Sequence, residues 1–272
     1  MGHLKRDISP VDIQVWPREE TQQKPTGFPW IFRLTFQPFS ACIFRSPFCL
    51  FVCLLHFLCV RSATVFNQDV SGWSVSRCSA FTYLFDGSAA FNQDISGWDV
   101  SRMLSLYHIF NGATVFNADI SSWDVSKVTN MESVFQDAEA FNQDLSSWDV
   151  AKVTTMYNSF YFASAFNGDI TTWDTGSVIT FNDMFKDAHV FNQDISAWDV
   201  KKVTVLNSFM TRAYAFDQDL SGWDLARATS MTWAFSGTSA FDQVRTTSTA
   251  HHFFRLGLHI RFSIMHPFCP SL

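Results

Sequence analysis

Phenylalanine returns every 25 residues, without an insertion, at Phe66, Phe91, Phe116, Phe141, Phe166, Phe191, Phe216 and Phe241. Seven residues after each of the first seven stands a tryptophan: Trp73, Trp98, Trp123, Trp148, Trp173, Trp198 and Trp223. A fixed period of this length restricts the chain to a stack of like units, because one unit alone has too few apolar side chains to fold and must bury them against its neighbours. The period also accounts for the load of 30 Phe and 10 Trp, since equivalent aromatics in successive units can stack into columns.

The period divides the chain into a non-repeat region 1–61, a seven-repeat tract 62–242 and an unpatterned tail 243–272. Residues 48–60 read FCLFVCLLHFLCV, and as a helix these 13 residues rise about 20 Å, short of the ~30 Å of a bilayer core. Three readings of this segment stay open: a signal or membrane anchor behind a long leader, a hydrophobic cap on the first coil, or a start site placed too far upstream.

The net charge of −6 conceals an asymmetry, for residues 62–242 hold 9 Lys and Arg against 21 Asp and Glu. Phosphate recognition needs clustered cations, so an acidic repeat tract argues against a nucleic-acid partner. Five of the six cysteines lie outside the repeats, and none forms a CxxC pair of the kind that holds zinc.

Counting each unit from its Phe as position 1, position 5 is aliphatic throughout, at Val70, Ile95, Ile120, Leu145, Ile170, Ile195 and Leu220. The surrounding DIS[SG]W run predicts a strand of four or five residues. Positions 13, 16 and 20 are apolar, as in Val128, Met131 and Phe135 or Val153, Met156 and Phe160, and steps of three and four predict one stripe of a short helix. Thr129 and Glu132 have capping-box spacing, Thr154 and Thr204 occupy the same N-cap position, and Gly87, Gly112 and Gly237 suit its C-cap. Each 25-residue coil is therefore expected to carry one short strand and one short helix, an α/β repeat.

The phrase FNQDISGWDV, followed by a VTNM-like segment and a closing Phe, resembles the BspA-family leucine-rich-repeat surface proteins, the 25-residue repeat class of bacterial surface lipoproteins. The resemblance implies a right-handed leucine-rich-repeat-like solenoid with a role in adhesion or protein recognition at the cell surface. This chain departs from the pattern at Ser74, Ile179, Phe181, Asp217 and Asp242, and it lacks a lipoprotein-type leader with its Cys.

Position 4 is aspartate in all seven units, at Asp69, Asp94, Asp119, Asp144, Asp169, Asp194 and Asp219, and position 9 is aspartate from Asp99 to Asp224. Such ladders read first as turn caps and second as a row of calcium sites that would stabilise a module with no specific ligand. A hydrolase drawing carboxylate pairs from the ladders is a third reading, weakened because a catalytic site needs one special position and these are alike. No GxSxG, HExxH, P-loop or GxGxxG motif occurs, and no cofactor is implied. The expectation is a non-enzymatic, secreted, membrane-associated or surface-displayed protein that binds an unknown protein or surface ligand. Its contacts are expected at positions 11, 12, 17 and 18, such as Ser126, Lys127, Glu132, Ser133, Tyr157 and Asn158.

Overall fold

The structure, a computed structural model, describes residues 60–241. The apolar segment 48–60 (save Val60) and the tail 243–272 lie outside them, with whatever roles the sequence suggested for each.

Successive units do stack, but not as a solenoid of strands and helices. Past Val60 no α-helix appears among the described residues, and extended pairing is limited to single-residue parallel bridges. These bridges join position 15 of each coil to position 15 of the next, from Ala80↔Ser105 through Val205↔Ser230. The expected strand and helix are both replaced by turns, and the reasons are local.

In the expected strand, the Asp at position 4 accepts the amide two residues on, as Asp119 Oδ1 does from Ser121 at 2.9 Å. The Trp amide then closes a turn onto position 5, with Trp123 N donating to the Ile120 carbonyl at 3.1 Å. Two turns consume the amides that a strand would offer sideways.

In the expected helix, backbone amides do not reach back four residues. Every second one donates to the next coil: Met131 to Thr155 at 3.2 Å, Ser133 to Tyr157 at 2.8 Å, Phe135 to Ser159 at 2.9 Å and Asp137 to Tyr161 at 2.7 Å. The amides between them close tight turns inside the coil, as Val134 to Met131 and Ala138 to Phe135. Positions 18 and 22 take positive φ, at Ser133 (53°) and Asp137 (54°) in this coil, which no right-handed helix allows. Gly87, Gly112 and Gly237 supply that conformation at position 22, but inside a turn and not at a helix end. The Thr129 hydroxyl, expected to cap a helix, donates instead to the Leu104 carbonyl one coil back at 3.1 Å, and Thr154 and Thr204 repeat the pattern.

The interior is a set of aromatic columns. Position 1 phenylalanines from Phe66 to Phe241 follow one another at 5.7–6.0 Å between ring centroids. The position-20 rings of Phe85, Phe110, Phe135, Phe160 and Phe185 stack on the next position-1 ring at 3.7–4.0 Å. Phe91 to Phe216 are fully buried, while Phe66 and Phe241 at the two ends are only partly so.

Each interior coil is further tied to its predecessor by its tryptophan, whose indole donates to the carbonyl at position 5 one coil back. Trp98 reaches Val70, Trp123 reaches Ile95, and the series runs on to Trp223 and Ile195, at 2.9–3.2 Å. Position 2 adds another rung, the Asn117 side-chain oxygen taking the Asn142 amide at 2.9 Å. A buried indole thus finds an acceptor in a carbonyl that also takes the tryptophan amide of its own coil, which an apolar column alone could not provide.

Candidate interaction surface

One side of the stack is constant from coil to coil. All seven position-4 aspartates accept the amide two residues on, from Ser71 through Ser221, at 2.8–3.0 Å. The six at position 9 do the same at 3.0–3.1 Å. Hydrogen bonds from the backbone amide and side chain of these serines hold Asp69, Asp94, Asp119 and Asp144 below the usual carboxylate range. At Asp99, Asp124 and Asp194 the serine side chain contributes most.

The ladders are therefore rows of Asx turns. Among the described residues no group of three or more His, Cys, Asp or Glu side chains converges where a metal ion could sit.

Position 12 belongs to the constant side as well. Arg77, Arg102, Lys127, Lys152, Lys202 and Arg227 form an exposed basic column beside the position-9 aspartates. Lys127 and Lys152 donate to the Ser101 and Ser126 carbonyls one coil back, both at 2.9 Å. Lys127 and Ser126, expected as contact residues, are thus parts of the ladder. Ser133 is 1% exposed and unavailable to a partner. Glu132, Tyr157 and Asn158 are half-buried and remain open to a partner.

The other side, at positions 17, 18, 21, 22 and 24, changes in every coil. All five tyrosines of the chain fall there: Tyr83, Tyr107, Tyr157, Tyr161 and Tyr214. Trp233, which stands outside the tryptophan ladder, is 61% exposed at position 18. Sequence reasoning missed positions 21, 22 and 24, although the confinement of tyrosine to this part of the period was a readable signal.

This ribbon is organised in clusters. Near its start, Arg61 Nε pairs with Asp86 at 2.8 Å and the Arg61 guanidinium lies 4.0 Å from the Tyr83 ring centre. Asn111 donates to the other Asp86 oxygen at 2.6 Å. Tyr83 and Tyr107 meet edge to face at 5.1 Å, and the hydrogen bond that the Tyr107 hydroxyl donates to Tyr83 heads the causes that push Tyr107 up to about 12. His108 packs on both rings, and burial lowers its basicity.

Farther along, Arg212 grips Asp187 with two nitrogens, and His189 stacks on Tyr214 at 5.0 Å. Lys186 pairs with Asp183 at 3.1 Å and lies 4.9 Å from the Tyr161 ring centre. Between these clusters, in the coil 116–140, burial raises Glu132 and Asp137 above the usual carboxylate range.

A family model described as "Mycoplasma protein of unknown function, DUF285" matches residues 58–168 and again 144–248. The chain belongs to the DUF285 family. The two matches overlap in the coil that begins at Phe141, so the tandem DUF285 units run through the stack without a break. No curated protein matches the chain. Among the described residues no helix is long and apolar enough to cross a membrane.

Proposed function

We propose that the DUF285 tract is a non-enzymatic recognition module, secreted or held at the cell surface, whose variable ribbon binds a partner protein. One observation carries this reading: every tyrosine and the one exposed tryptophan of the described coils fall at the variable positions 17, 18, 21, 22 and 24, while positions 4 and 9 carry the recurring aspartates. Tyr and Trp bring large, rigid contact area at low entropic cost and dominate binding hot spots. A stack held by columns and ladders lets those positions vary without disturbing the core.

The likeness of FNQDISGWDV to BspA-family surface proteins supports the surface location and the adhesive role. Display of the chain on protein and glycan arrays tests the proposal. A saturable partner is expected, lost in Tyr157→Ala and Trp233→Ala and retained in Arg102→Ala on the constant side. Binding that survives both ribbon substitutions, or is lost with Arg102→Ala instead, would contradict it.

A further inference from the structure

Resting on that reading, we propose that the middle of the ribbon, where Tyr107, Glu132 and Tyr157 occupy position 17 of three successive coils and Asp137 adjoins Phe162, binds an arginine side chain of the partner protein.

The molecule supplies its own precedents. Arg61 sits between Asp86 and the Tyr83 ring, and Lys186 between Asp183 and the Tyr161 ring. Arg212, at position 22, grips Asp187 at position 22 of the coil before. Three times, then, an acid on this ribbon holds a cation, and twice an aromatic face completes the seat.

The coil 116–140 supplies the acids and the coils on either side supply Tyr107, Tyr157 and Phe162, but these acids have no cation among the described residues. Glu132, Asp137 and Glu139 form no ion pair among the described residues. The position from which Arg212 reaches Asp187 is Phe162 in the case of Asp137. Register places these groups side by side, since Asp137 N donates to the Tyr161 carbonyl at 2.7 Å and Ser133 N to that of Tyr157 at 2.8 Å.

Burial raises both Glu132 and Asp137, so their charge is incompletely solvated and favours a cation that arrives with them. Arginine suits the site better than lysine, because its planar fork can take a carboxylate with two nitrogens while its face lies on a ring. The Arg212–Asp187 pair already shows that fork within the ribbon.

The test is a titration of the isotope-labelled full chain with the acetylated peptide amide Arg-Arg-Arg, followed by amide chemical shifts. Saturable shifts are expected at residues 130–139 and 157–162, lost in Glu132→Gln/Asp137→Asn and unchanged in Asp119→Asn on the constant side. Phe162→Arg provides a second arm, for it places a guanidinium beyond Asp137 as Arg212 stands beyond Asp187. It should abolish the peptide shifts and raise the unfolding midpoint.

Shifts spread evenly along the Asp ladders, or indifferent to both the acid substitutions and Phe162→Arg, would overturn the proposal. A partner lost in Tyr157→Ala but kept in Glu132→Gln/Asp137→Asn would leave the recognition reading intact and sink this inference alone. Peptide shifts that behave as expected, with no partner found on any array, would do the reverse.

Discussion

The indole nitrogen of Trp148 donates to the backbone carbonyl of Ile120, 28 residues earlier and one coil below, at 3.1 Å. Both groups are buried, and neither has water as an alternative. Trp148→Phe keeps most of the packing and removes this one donor, while the carbonyl keeps the Trp123 amide, so the cost should be about 0.5–1.5 kcal/mol. Trp148→Ala also opens a cavity and should cost about 3–5 kcal/mol. Urea unfolding monitored by fluorescence of the remaining tryptophans measures both.

At Gly168 two coils approach closely. A Cβ added there would lie 2.0 Å from the Gln143 carbonyl oxygen, whereas one added to Gly97 meets nothing within 4 Å. Gly168→Ala is therefore expected to force backbone apart and lower the unfolding midpoint sharply. Gly97→Ala should leave it nearly unchanged, and equal effects of the two in thermal unfolding would refute the close approach.

The column at position 20 is broken once. Met210 stands where the other coils have Phe, and Phe209 beside it meets Phe185 and Phe235 edge to face. Met210→Phe alone overpacks the site and should cost about 1–3 kcal/mol. Exchanging the pair, Phe209→Met with Met210→Phe, conserves volume and restores the column, so the double variant is expected to be more stable than Met210→Phe alone. A double-mutant cycle reads that coupling directly.

Stability should fall in acid. The folded-state values of Asp69, Asp94, Asp99, Asp119, Asp124, Asp144 and Asp194 are depressed below the ordinary 3.8 by their serine partners. Each contributes stability that is complete above the unfolded value and lost as pH drops through the folded one. Glu132 and Asp137, raised by burial, act in the opposite sense and weaken the fold at neutral pH. The seven depressed groups outnumber the two raised ones, so the midpoint should decline as pH falls below about 4. Glu132→Gln/Asp137→Asn should raise the midpoint at neutral pH and leave the acid decline in place.

These features differ in how far the sequence disclosed them. The positions of Val128, Met131 and Phe135 follow from periodicity, and all three side chains lie in the interior. Their conformation did not follow, because steps of three and four can be met by a helix or by consecutive turns that return side chains to the same side. What decides between them at Ser133 and Asp137 is positive φ, which sequence reveals only where glycine stands, as at Gly87 and Gly112. Likewise Lys127 looked like a free surface residue in its own coil, and only the neighbouring Ser101 carbonyl shows what holds it.

Scalar couplings across hydrogen bonds, measured on the labelled full chain, test the stacking of turn-built coils most directly. The structure predicts couplings from the amides of Ser133, Phe135 and Asp137 to the carbonyl carbons of Tyr157, Ser159 and Tyr161, one coil on. Couplings from those amides to carbonyls four residues back in their own coil would restore a helix there and contradict the stack described above.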